Sequence, residues 1–567
     1  EPLDYGEFSR QLEEKIRDKY ETQNPDIEIH IVGFAKKVGD LIEGIGSIAW
    51  FAGITIILTT LLLFGYSRCI TGTLVPVFTS IIAVFLQLGT LRLLGYGLDP
   101  YSVLVPFLVF AIGISHGVQI VNAMAVEAAK GFDSVTAARL AFRALYIPGM
   151  LALISEAFGF LTLFFIEIDV IRDLAVAAGI GVAFVILTNL VLHVLIMSYL
   201  GISKGGVRHV QNHGEKQDRK WRIMSYFAHP GVAPISLLIA VIGLGLGLYY
   251  KQGLKVGDLD QGAPELRADS RYNKDNAYII DNYSTSADVL VVMVKTEEEQ
   301  CTQYNVLRAM DNLQWELQNT PGVQSSASLA DVSKIVTKAL NEGNWKWYEI
   351  SRNQTIINAS IREAPAGLIN TNCDLTPVLV FLEDHKAETL ETVTERVEEF
   401  ASNNNNDEYT FMLAAGNAGV EAATNDVISS AKNMMLVFVY GVVASLCLLT
   451  FRSIRAVLCI LIPLGLTSIL AEAIMAMSGI GIKVATLPVI ALGVGIGVDY
   501  GIYIYSKLEK FLLEGKTLQE AYFETLRSTG KAVIFTGVTL GIGVVTWIFS
   551  PIKFQADMGL LLFFMFI

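Results

Sequence analysis

Apolar runs long enough to cross a bilayer begin near Ser47, Ile70, Tyr101, Tyr146, Ile171, Val232, Asn433, Ala456, Val484 and Ala532, and a further run starts near Ala556 and is cut at Ile567. The pattern predicts a polytopic α-helical membrane protein with ten full spans and part of an eleventh. Two polar regions, residues 1–45 and 255–430, interrupt it. Within the second, strand-like alternation at Asp288 to Lys295, Thr376 to Leu382 and Tyr409 to Leu413 changes places with helix-like periodicity at Gln303 to Gln318, Ala330 to Leu340 and Ala387 to Ala401. Such exchange predicts packed α/β subdomains of the split βαβ type.

The pattern occurs twice. The phrase LVPFLVFAIGISHGVQIV has a counterpart in TLPVIALGVGIGVDYGIYIY, which lays Gly113-Ile114-Ser115-His116-Gly117 on Gly497-Val498-Asp499-Tyr500-Gly501. Outside the spans, helix-like Phe8 to Tyr20 and strand-like Ile27 to Val32 recur as Leu390 to Ala401 and Tyr409 to Leu413. The chain therefore reads as a pseudo-twofold repeat. Glu1 is expected to enter part-way through a first extramembrane domain, with one span before it.

Composition sharpens this picture. With 52% hydrophobic and 17% charged residues, there is more apolar sequence than one or two soluble cores require, so the charge belongs outside the spans. The net charge of -13 gathers in the two polar regions and argues against a nucleic-acid partner. Lys and Arg collect in alternate short loops: Arg68; Lys130, Arg139 and Arg143; the linker from Lys204 through Lys216 to Arg222; Arg452 and Arg455; Lys507, Lys510 and Lys516. The loops at Gly95 to Pro100, Glu167 to Asp173 and Met477 to Lys483 are poorer in them. By the positive-inside rule both large polar regions lie on the far side of the membrane. Cys301 and Cys373 share one of these regions, where an oxidising compartment allows them to pair, or to remain free thiols. Asn122 to Arg143 and Lys507 to Arg527 read as amphipathic interfacial helices.

Ionisable residues inside the spans are the candidates for chemistry, because hydrocarbon does not solvate them. Asp499 lies within an apolar stretch. Its counterpart position carries Ser115 followed by His116, and histidine also carries a proton near neutral pH. Glu156 interrupts Leu151 to Phe165 and can supply the acid that the first half lacks, so His116 and Glu156 predict a second protonatable centre near Asp499. Glu472, inside its own span, is either a relay member or a partner at the extramembrane end. Gln119 and Asn122 extend a polar stripe from His116 at helical spacing. Gly493, Gly495, Gly497 and Gly501 predict a small-residue face for close helix packing. Walker A, HExxH, paired CxxC and GxSxG patterns are all missing, so neither an enzyme, a cofactor nor a metal is expected.

Two halves with a large loop after the first span of each, five further spans, and Gly-rich phrases centred on Asp499 and Ser115 resemble the resistance-nodulation-division (RND) superfamily, in its MMPL or hydrophobe-exporter branch. The stretch Gly257-Asp258-Leu259 through Pro264-Glu265-Leu266 to Asp269-Ser270-Arg271 resembles a segment of exporters in that branch. The resemblance implies a secondary active transporter, by proton antiport, that exports or traffics hydrophobic, amphipathic or lipid-like molecules from the inner membrane. It places Asp499 and Tyr500 on the Asp-Tyr positions of the family's proton relay, with Ser115, His116, Glu156 and Glu472 as further candidates. It implies this division: 1–46, the end of a first periplasmic porter domain; 47–200, the first transmembrane bundle; 201–231, a cytoplasmic linker; 232–250, the first span of the second half; 251–430, a second porter domain; and 431–567, the second bundle. Membrane lipids are expected partners, and the sequence is compatible with a homo-oligomer and with a periplasmic accessory protein. Trp345, Trp347 and Tyr348 are candidates for substrate contact. A lipid- or sterol-sensing receptor of the same architecture is the rival reading.

Overall fold

A computed structural model of the chain describes residues 3–97, 99, 101–211, 215–283 and 285–567, without the side chains of 215–217, 361, 414, 488 and 490–492. Glu1, Pro100 and the Lys216 side chain, weighed above, lie outside the described residues. The chain divides into two compact units, Gly44–Leu254 with Ile428–Ile567, and Glu1–Glu43 with Lys255–Val427.

The first unit is helical. Among the described residues nine helices are long and apolar enough to cross a membrane; Leu487–Leu513, with 27 residues, is of like length, and Lys553–Phe566 occupies the start of the last run. This is the architecture of a multi-pass membrane protein. The duplication is visible residue by residue. Ile70–Leu93 and Ile454–Met477 are both 24 residues long, and each contains a proline, Pro76 and Pro463. Each is capped by a side chain, Cys69 accepting from Gly72 N and Ser453 from Ala456 N. Before each cap an arginine adopts positive φ, +48° at both Arg68 and Arg452, which closes the preceding helix in the left-handed region. Short 3₁₀ turns at Thr162–Phe165 and Thr546–Phe549 also correspond.

Two expectations about helix limits need correction. The helices expected from Ser47 and Asn433 start at Phe34 and Gly416 and run 34 and 36 residues, because the residues before each apolar run contain no proline to stop the helix. The expected interfacial helices are not separate elements. Asp133 and Thr517 cap helices that begin at Ser134 and Leu518, so Val135 and Leu518 open the membrane helices themselves. Ala233–Lys251 packs along Ile454–Met477 on one side, with Gly247 against Ile469 and Leu470, and is otherwise open: only 6% of its apolar window is buried.

The second unit holds a four-stranded antiparallel sheet: β1 (Val289–Thr296), β2 (Val323–Ser328), β3 (Leu375–Leu382) and β4 (Tyr409–Ala415), in the order β2-β3-β1-β4. Helix Tyr304–Gln318 links β1 to β2, and helix Ala387–Asn404 links β3 to β4. Each pair of linked strands is separated by a strand of the other pair, which is the split βαβ arrangement. Leu290, Val292 and Val294 of β1 and Val378, Val380 and Leu382 of β3 join Met310, Leu313, Val393 and Val397 in one core. Cys301 and Cys373 form a disulfide across 72 positions.

Ile27 to Val32 is not a strand among the described residues. Side chains satisfy its backbone instead: Ile29 N–H donates to Glu21, Ile31 N–H donates to Asp275, and Ile29 C=O accepts from Arg17 and Arg271. Asp275, buried, is also paired with Arg17, Arg271 and His30. β2, with sequence VQSSAS, escaped the hydrophobic pattern because polar bonds take its outer positions, Ser326 accepting from Gln314 and Gln318. Trp345, Trp347 and Tyr348 are exposed, and the Lys338 ammonium lies 3.6 Å over the Trp345 ring.

Candidate functional site: an intramembrane ionisable cluster

Three helices of the membrane unit bring the principal candidates together. His116 lies on Val105–Ala129, Glu156 on Ser134–Leu161, and Asp499 on Leu487–Leu513. All three are buried, His116 completely. One ligand-type atom from each falls within 4.8 Å of the others, and His116 Nε2 is 3.5 Å from Asp499 Oδ2. The expected two centres are thus one.

Local sequence explains the approach. A side chain at Gly495 would come within 3.3 Å of Glu156 Cγ, so a bare backbone lets the acid reach the Asp499 helix. The four glycines do not make a single face, however. Gly497 and Gly501 meet Leu464 and Ile460, Gly493 meets Met565, and Gly495 meets Glu156. Alternate glycines on a helix point to different neighbours, so the stretch packs against three helices rather than one.

Four residues on from Asp499, and so on the same side of its helix, the Tyr503 hydroxyl lies 2.7 Å from His116 Nδ1. This neutral partner was missed, although its spacing was readable. Both Glu156 oxygens, Asp499 Oδ1, His116 Nε2 and the Tyr500 hydroxyl are buried with no hydrogen-bond partner among the described residues. Groups left this way cost about 1–3 kcal/mol each, a penalty that marks function more often than packing. Adjacent carboxyl groups beside an imidazole take up and release protons as a unit.

The other candidates separate. Ser115 is buried beside His116. Glu472 belongs to a different cluster: its carboxylate lies 2.5 Å from Lys251 and 3.3 Å from Lys432, joining Ile454–Met477 to Ala233–Lys251 and Gly416–Phe451. Asn122 accepts from the Tyr66 hydroxyl and donates to Ser528 C=O, at the wall of a cavity of about 520 Å³ that also meets Trp221 and Lys531. A further buried histidine, His193, has neither ring nitrogen hydrogen-bonded among the described residues and lies against Gly117. It was legible as an ionisable residue inside the run from Ile171.

The MMPL family profile matches residues 9–232 and 268–563, taking in both halves of the repeat and all three cluster residues. The chain belongs to the MMPL family. Proteins of the MMPL family are transporters, in keeping with the RND resemblance. A membrane protein of Methanocaldococcus jannaschii is 23% identical over 260 residues, 45% of this chain and 64% of that protein. Membrane protein YdfJ of Bacillus subtilis is 32% identical over 69 residues, 12% of this chain and 10% of that protein. The chain thus spans less than two thirds of the length of these relatives.

Proposed function

We propose that this MMPL protein couples proton movement to export or trafficking of hydrophobic or amphipathic, lipid-like molecules from an inner membrane, with its two large polar regions in the periplasm. The observation that supports this reading is the convergence of His116, Glu156 and Asp499 from three helices inside the membrane unit. Proton binding there changes the charge held between the helices. Electrostatic cost in a dry site is steep, so the protonated and ionised clusters favour different helix arrangements, which is the requirement for coupling. Tyr503 orients His116, and Tyr500 lies next to Asp499 as a hydroxyl that a rearranged site can recruit.

The test is transport of a fluorescent amphipathic probe by purified protein in liposomes under an imposed pH gradient. Asp499→Asn and Glu156→Gln are each expected to abolish gradient-dependent movement while the protein still inserts and elutes as a discrete species. Full transport by both variants would overturn proton coupling at this site. Lipid binding with intact downstream signalling in Asp499→Asn cells would favour the sensing receptor instead.

A further inference from the structure

A second ionisable group is assembled within the extramembrane unit from four distant stretches of sequence. His385 lies between β3 and helix Ala387–Asn404 and is 2% exposed. Its Nδ1 is 2.9 Å from Asp288 Oδ1. A carboxylate this close to Nδ1 favours the tautomer with its proton there and leaves Nε2 as an acceptor, and both ring nitrogens are buried without a hydrogen bond of ordinary geometry among the described residues. Asp258, from the segment after Ala233–Lys251, and Glu421, from the opening turns of Gly416–Phe451, each place a carboxylate oxygen so that the ligand atoms of Asp258, His385 and Glu421 lie within 4.8 Å of one another. Glu421 Oε1 is likewise buried and without a hydrogen-bond partner. A carboxylate that fixes one imidazole nitrogen, leaving the other available beside further carboxylates, is how proteins orient a metal-binding histidine.

We propose that Asp258, His385 and Glu421 bind a divalent transition-metal ion of the zinc or manganese kind, with Asp288 as the group that positions His385. The charge balance supports a cation. Asp258, Asp288, Glu265 and Glu421 bring four carboxylates to the neighbourhood, against Lys37, 3.2 Å from Glu265. These carboxylates draw a metal ion, which takes the Nε2 lone pair of the neutral imidazole. One imidazole with two carboxylates suits zinc or manganese better than copper(I), which prefers sulfur, or calcium, which takes oxygen alone. Metal–ligand bonds of about 2.0–2.2 Å require the three atoms to draw closer when the ion binds. The bound ion ties the Asp258 segment and the start of the Glu421 helix to the end of β3. No compact sequence motif marks the site, which is why none was expected.

The experiment uses the full chain in detergent, with any affinity tag removed and metal stripped by a chelator, titrated with Co²⁺ as a visible spectroscopic probe and then with Zn²⁺. One Co²⁺ per chain with d–d absorption, displaced by Zn²⁺, is expected. His385→Gln and Glu421→Gln are expected to lose it, and Asp288→Asn to weaken it about 10- to 100-fold. The Glu156→Gln/Asp499→Asn double variant is expected to retain it, which separates this site from the membrane cluster. Where His385→Gln does not fold, the Asp288→Asn affinity carries the assignment. Failure of wild type to bind Co²⁺, binding unchanged in the three variants of this site, or binding lost in the intramembrane double variant would each overturn the proposal.

Discussion

The chain holds two clusters built from one histidine and two acids, and they differ in what surrounds them. In the membrane unit, His116 is held by a neutral hydroxyl, Tyr503, and faces Asp499 and Glu156 with no Lys or Arg ion pair to them among the described residues. In the extramembrane unit, His385 is held by a carboxylate, Asp288, and has Lys37 among the charges that act on it. Neutral support leaves the acids of the first cluster without a fixed counter-charge, which is what the proposed proton coupling requires. Anionic support in the second raises the demand for a resident cation. The same three side-chain types thus suit opposite tasks, and the partner of the far ring nitrogen separates them.

The largest expected effect removes the mobile charge. Asp499→Asn should abolish gradient-driven transport, because it removes an ionisable group from within the membrane unit, and Glu156→Gln should do the same in the same liposome assay. Equal transport in the two variants and wild type would dissolve the contrast. Next comes the disulfide. Because it closes a loop of 72 residues, Cys301→Ser/Cys373→Ser should destabilise the extramembrane unit by about 2–4 kcal/mol, read as earlier protease cleavage there, with cleavage of the membrane helices unchanged.

Glu472→Gln distinguishes structural from mobile charge. It leaves Lys251 and Lys432 without their carboxylate, and a loss of order 2 kcal/mol in thermal stability is expected, with the pH dependence of transport retained. A pH profile altered like that of Asp499→Asn would place Glu472 in the relay after all. The smallest change is Tyr503→Phe. One hydrogen bond to His116 disappears, at a cost of about 1 kcal/mol, and the expected result is a shifted pH optimum with transport persisting. An unmoved optimum would mean that Tyr503 only packs.

Much of this was legible before any coordinates. Hydropathy located the helices because lipid enforces long apolar runs, and the repeated phrase pointed to Asp499, Ser115 and His116 because both halves keep the same register. Glu156 could be nominated as an acid in hydrocarbon, but its meeting with Asp499 depended on Gly495, whose neighbour only packing reveals. Tyr503 and His193 were readable by spacing and by setting, and were passed over. The extramembrane cluster was not legible: Asp258, Asp288, His385 and Glu421 are joined by chain topology rather than by a short motif. Alternation misled at Ile27 to Val32, where carboxylates and guanidiniums replace a neighbouring strand.

The helix Ala233–Lys251 packs along Ile454–Met477 on one side and pairs with Glu472 through Lys251, with Ile235, Leu237, Leu238, Ile239 and Ile242 all exposed. Its seat therefore depends on what fills the space around it. Purification in short-chain detergent is expected to loosen this segment first, whereas a nanodisc or a long-chain maltoside keeps it seated, so the choice of amphiphile sets whether an isolated sample retains its native outline.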